Sequence, residues 1–197
     1  MEEYKRIVEK IISEEENFSE VCEIVRMNSL GGNIWAVGSF LYKNILRNKY
    51  GMEGLEVEDY DFILENLVDY GKENVPDGWK MERTHFGSPR MKKENLQIDI
   101  IPLYGLKEKI TEKEYEENDV KRLMSFYLER VPFEVQSISY EVNLNSLMER
   151  GSINAIQKRE SKIFNIKPCE EIAKDKGISL EEYFKYKSKK LGVKILY

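Results

Sequence analysis

The chain has 197 residues, 41% of them hydrophobic and 11% aromatic, which is enough for a packed domain and excludes a disordered chain. Two cysteines, Cys22 and Cys169, exclude a disulfide framework, and no CxxC or Cys/His cluster offers structural zinc, so both read as inert thiols. Charge is uneven: residues 151–197 carry 11 basic and 6 acidic side chains, a net +5, against a net −10 over residues 1–150.

From the start, MEEYKRIVEK is charged and has no signal-peptide run, and no stretch nears the roughly 18 apolar residues of a membrane span. The expectation is a cytoplasmic protein with no membrane contact. Tyr4, Ile7, Val8, Ile11 and Ile12 recur at helical spacing, and Ser19 to Met27 predicts a second helix. Ile34 to Ser39 predicts a short strand ending in a Gly-Ser turn, and Phe40 to Tyr50 a helix closed by Gly51. Val57 to Leu64 alternates acids and bulky residues as a strand does, after a loop over 51–56. Trp79 to Phe86 and Leu96 to Leu103 predict a hairpin, with Gly87-Ser-Pro-Arg and Lys92-Lys-Glu-Asn in the connection. A helix follows over Asp119 to Glu129, a strand over Val135 to Tyr140, then helices separated by Gly151, Pro168 and Gly177. The order predicts an α+β core over 1–150, a mixed sheet with flanking helices, including N-terminal helices within 1–28. Residues 151–197 read as a basic helical C-terminal appendage packed on that core. Such a tail suits a polyanionic partner or a solvated lysine-rich face.

Three acids occupy strands, where charge is normally avoided. Asp59 and Asp61 are two apart, so on a strand both emerge on one face. Asp99 sits in Gln97-Ile-Asp-Ile-Ile-Pro102, where an ionised carboxylate is costly without a compensating cation. If the two strands are neighbours, the three carboxylates converge and invite Mg²⁺ or Mn²⁺. Gly38 lets a ligand approach the backbone, and Ser39 heads a helix whose free N–H groups suit phosphate. Lys43 projects from the same helix toward that anion site.

Gly38-Ser39, Asp59-Tyr-Asp61 and Asp99 together resemble the minimal nucleotidyltransferase domain shared by DNA polymerase beta, poly(A) polymerases and CCA-adding enzymes. The resemblance implies that Gly38 and Ser39 hold the triphosphate of an NTP and that Asp59, Asp61 and Asp99 form a two-metal catalytic site. Arg130-Val-Pro-Phe-Glu-Val-Gln-Ser-Ile-Ser-Tyr140 is similar to the RRDFTINALAY segment of CCA-adding enzymes, through Arg130, Phe133 and Tyr140. Arg130 is thereby implied in nucleotide binding, while Pro132 and Glu134 replace that family's Asp and Thr. The activity implied is transfer of a nucleoside monophosphate to a hydroxyl of an RNA, a protein or a small molecule, with release of pyrophosphate. The alternatives are a nucleotide- or RNA-binding module of this fold without turnover, or a component of a toxin–antitoxin pair.

Of the remaining residues, Arg90, Lys92 and Lys93 read as a basic hairpin tip, by default solvated, with a triphosphate or nucleic-acid strand as the alternative partner. His85, the only histidine, excludes a histidine-based metal site and reads as structural; Trp35 and Trp79 read as core. Ile178, Leu180, Tyr183, Phe184 and Lys187 predict an amphipathic helix docked on the core.

Overall fold

The computed structural model describes residues 1–57, 59–69, 71–84, 87–103 and 120–197. His85 lies outside them. Helix α1 spans Glu2–Glu14 and α2 Phe18–Met27, followed by β1 Ile34–Val37 and α3 Ser39–Tyr50. Strand β2 runs Tyr60–Leu64, and β3 Lys80–Arg83, β4 Pro89–Lys93 and β5 Leu96–Pro102 follow. Helix α4 covers Val120–Arg130, with β6 Ile138–Glu141 and β7 Ser146–Glu149 after it. The rest is α5 Ser152–Lys158, β8 Glu160–Lys162, α6 Lys167–Asp175, α7 Leu180–Leu191 and β9 Lys194–Leu196.

Seven strands form one mixed sheet in the order β3-β4-β5-β2-β1-β6-β7, parallel at β2–β5 and antiparallel at every other junction. Strand alternation sorts side chains between two cores. Ile34, Ala36, Phe62, Leu64, Ile98 and Ile100 face the layer that holds α1, α2 and α3. Trp35, Val37 and Ile63 face the other way, against Leu123, Met124 and Leu128 of α4. Trp35 and Trp79 are both buried, as expected. Gly51, at φ 62°, closes α3 in the left-handed conformation that a C-terminal glycine supplies.

Several segments depart from the sequence reading: Ser146–Glu149 forms β7 where helix was expected, and a 3-10 turn over Glu134–Gln136 replaces the start of the strand expected over Val135 to Tyr140. The stretch expected to link a two-stranded hairpin instead contains β4, so β3, β4 and β5 form a meander. Pro89 is tolerated because it opens the strand, and Met91 is wholly buried while Arg90 and Lys92 face the opposite side. A charged strand with one inward methionine carries little hydrophobic periodicity. Arg90, Lys92 and Lys93 are therefore not a solvated tip: they lie on a paired strand, ion-paired with Asp99, Glu82 and Glu20. In the C-terminal segment, β8, which follows α5, and β9, which follows α7, make a small parallel pair. Tyr183, Phe184, Leu191, Val193 and Ile195 are buried in the same cluster as the helix-facing side of the large sheet.

Candidate active site

The three aspartates meet through register. Asp61 stands directly opposite Asp99 across the parallel β2–β5 pair, and Asp61 is also opposite Val37 of β1. Adjacent strands are about 5 Å apart, so the two carboxylates are immediate neighbours on one face. Continuing the row outward, Arg90 faces Asp99 and Glu82 faces Arg90. Asp59 lies just ahead of β2, and its Oδ1 accepts a hydrogen bond from Ser39 Oγ at 3.0 Å. All three sequence-predicted acids thus gather at the carboxyl end of β1, at the mouth of α3.

Gly38 is required there. Its φ of 73° is one that L side chains avoid, and a Cβ on it would lie 2.2 Å from Asp61 Oδ2. As the residue before α3 it offers no side-chain cap, so the first amides of the helix are left for another acceptor. Ser39, expected to serve the phosphates, opens the helix and in this state donates to Asp59.

Among the described residues, Asp61 is the one carboxyl group held well above its ordinary range. Desolvation pushes its pKa well above the usual range, the charges of Asp59 and Asp99 push it further, and Arg90 opposes them. Arg90 forms a fork on Asp99: Nε donates to Oδ1 and Nη2 to Oδ2, each at 2.6 Å. Sequence reasoning puts this residue on a hairpin tip and misses its bond to Asp99; the alternation in Pro-Arg-Met-Lys, with methionine inward, is the signal that puts Arg90 on the aspartates' face. From α4, Tyr127 joins the site's floor. Its hydroxyl pKa is raised by burial first and by the charge of Asp61 second. The sequence places Tyr127 on the helix face of Leu123 but gives no hint of the aspartate.

The other two expected ligand-binding residues sit elsewhere in the scaffold. Lys43 is 2% exposed and its Nζ donates to the Glu56 carbonyl at 2.7 Å, tying α3 to the loop that leads into Asp59. Arg130 ends α4 with its guanidinium 3.8 Å from the ring centre of Phe126. Glu134 is buried, accepts from the Lys162 amide, and leaves no room for a Cβ at Gly151.

Among the described residues, no group of three or more His, Cys, Asp or Glu side chains is arranged so that it could hold one metal ion. With both oxygens of Asp99 held by Arg90, the carboxylates left to receive a cation are Asp61 and Asp59, the latter already accepting from Ser39 on Oδ1. Two carboxylates fit Mg²⁺, which keeps much of its water and completes its shell with substrate phosphate.

Comparison with solved structures decides the architecture. A CCA-adding enzyme in complex with ATP superposes with a TM-score of 0.59 at 14% identity, covering 96% of this chain and 42% of that one. The fold is nucleotidyltransferase-like. A CCA-adding enzyme with CTP matches at TM-score 0.56 and 15% identity over 83% of this chain and 39% of its own. The Thermotoga maritima CCA-adding enzyme complexed with tRNA matches at 0.54 and 16%, over 83% of this chain and 38% of its own. The chain therefore spans about two-fifths of the length of these enzymes. No protein-family model and no curated protein sequence matches it. Among the described residues no helix is long and apolar enough to cross a membrane.

Proposed function

We propose that the protein is a metal-dependent nucleotidyltransferase, moving a nucleoside monophosphate from an NTP to an acceptor hydroxyl with release of pyrophosphate. The observation that supports this most is the juxtaposition of Asp61 and Asp99 against Gly38, with Ser39 and Asp59 at the entrance of α3. Asp59 and Asp61 would hold a divalent cation, Mg²⁺ or Mn²⁺. When bound, such a cation supplies acidity to the attacking hydroxyl and neutralises charge on the leaving pyrophosphate. The remaining work is positioning. The uncapped amides of α3, with Gly38 and Ser39, receive the triphosphate, and Lys43 fixes the loop before Asp59. CTP, ATP and tRNA in the solved relatives favour an NTP donor and an RNA end as acceptor.

A binding module without turnover is the second reading, favoured by the Arg90 fork on Asp99 and by Pro132 and Glu134 at positions where CCA-adding enzymes have Asp and Thr. Incubation with each labelled NTP, an RNA acceptor and Mg²⁺ or Mn²⁺ separates the two. Pyrophosphate release that falls by about 10³-fold in Asp61→Asn is the expected result for an enzyme. RNA binding that persists without metal, with no pyrophosphate formed, would instead establish the module.

A further inference from the structure

Arg90 has two acidic cross-strand neighbours, and it chooses the inner one. Glu82, opposite it on β3, is taken by Lys92 Nζ at 2.8 Å. Asp99, opposite it on β5, receives both guanidinium bonds although its residue is only 8% exposed. Register makes this contact part of the sheet: the two Cα atoms face one another, so the fork needs no rearrangement to form. Both oxygens of Asp99 are thereby engaged by a permanent cation.

Charge then decides what else the site accepts. Counted by formal charge, with the carboxylates deprotonated as a bound cation requires, three aspartates and one guanidinium sum to −2, which one divalent ion balances. A second divalent ion would leave an excess of +2 until a triphosphate brought its own negative charge. We propose that Arg90 is a positioning residue standing in for a cation at Asp99, so that the nucleotide-free protein takes a single divalent ion, at Asp59 and Asp61. The inference rests on reading the aspartate cluster as a metal site. It differs from that reading in assigning Asp99 to a residue of the chain until substrate arrives.

Titration of the nucleotide-free, full-length protein with Mn²⁺, following free Mn²⁺ by electron paramagnetic resonance, tests it. The wild type should show one site, and Asp99→Asn should keep that count and weaken it by no more than about tenfold, the effect of a lost neighbouring charge and not of a lost ligand. Arg90→Gln should expose a second site or tighten the first by roughly tenfold, since a nearby cation is gone. Arg90→Lys, which keeps the charge, should hold the count at one; with Asp99→Asn it carries the test if Arg90→Gln does not fold. Two wild-type sites, one of them lost in Asp99→Asn and neither changed in Arg90→Gln, would overturn the role of Arg90. Pyrophosphate release would then still stand. No Mn²⁺ bound by any variant would overturn both.

Discussion

Asp61 sits between Gly38 and Asp99, with desolvation and two like charges holding its carboxyl group well above the usual range. The sign of the consequence follows from linkage. A raised carboxyl pKa means the folded protein keeps a proton that the unfolded chain has already released. The contribution of this one group to the stability of the metal-free protein is therefore fully present below the unfolded value of about 3.9, and is lost as pH rises through the raised value. Asp61→Asn removes that penalty. Metal-free Asp61→Asn should melt higher than wild type at neutral pH, by roughly 2–4 °C for each kcal/mol relieved, and the gap should close in acid. Thermal melts at several pH values in the presence of a chelator check this; an unchanged or lower melting temperature at neutral pH would contradict it. Gly38→Ala is the opposite case. The added methyl group meets Asp61 Oδ2 and demands a disfavoured φ, so both stability and nucleotide affinity should fall together, measured by melting and by fluorescent-NTP titration.

At the scale of elements, α7 shows how local signals and packing agree. Ser179 forms a capping box with Glu182, acids fill the first turn, lysines the last, and Gly192 ends the helix at φ 72°. Its inner face buries Tyr183 and Phe184, and Phe184 meets Phe133 edge-on with ring centres 6.3 Å apart. Ser179→Ala should cost about 1 kcal/mol and Phe184→Ala about 3–5 kcal/mol, by chemical denaturation. A loss for Phe184→Ala no larger than that for Ser179→Ala would mean that the helix does not rest on the core. Strand β4 is the contrasting element. Its charges answer Asp99 and Glu82 on the two strands beside it and Glu20 of α2, so its one inward methionine is the only apolar sign of the strand.

For the molecule as a whole, the C-terminal segment is continuous with the body's core rather than apposed to it: Leu191, Val193 and Ile195 share a cluster with Ile45 and Phe62, and Leu55 of the loop after α3 packs at Gly192. Removing residues 180–197 strips away five large buried side chains, each worth about 1.5–3 kcal/mol. That loss is comparable to the whole stability of an ordinary domain, about 5–15 kcal/mol. The truncated chain should lose its cooperative melting transition and near-ultraviolet circular dichroism, rather than persist as a trimmed catalytic core. We accordingly treat the basic C-terminal segment as one folding unit with the acidic body, its lysines displayed on the outside.

The helices α1, α2 and α3, the strand holding Asp61 and the strand holding Asp99 were legible in the sequence because their apolar residues repeat at the period of the element they form. So was the pairing of Gly38 with Ser39 at a strand–helix junction, since only glycine serves that backbone and that approach to a carboxylate. What the linear order could not contain was register. The alignment of Asp61 with Asp99, the reach of Arg90 across to them and the strand that carries it depend on which residues hydrogen bonding sets side by side. Those choices are made by the energy of the entire sheet and not by any window of neighbouring residues.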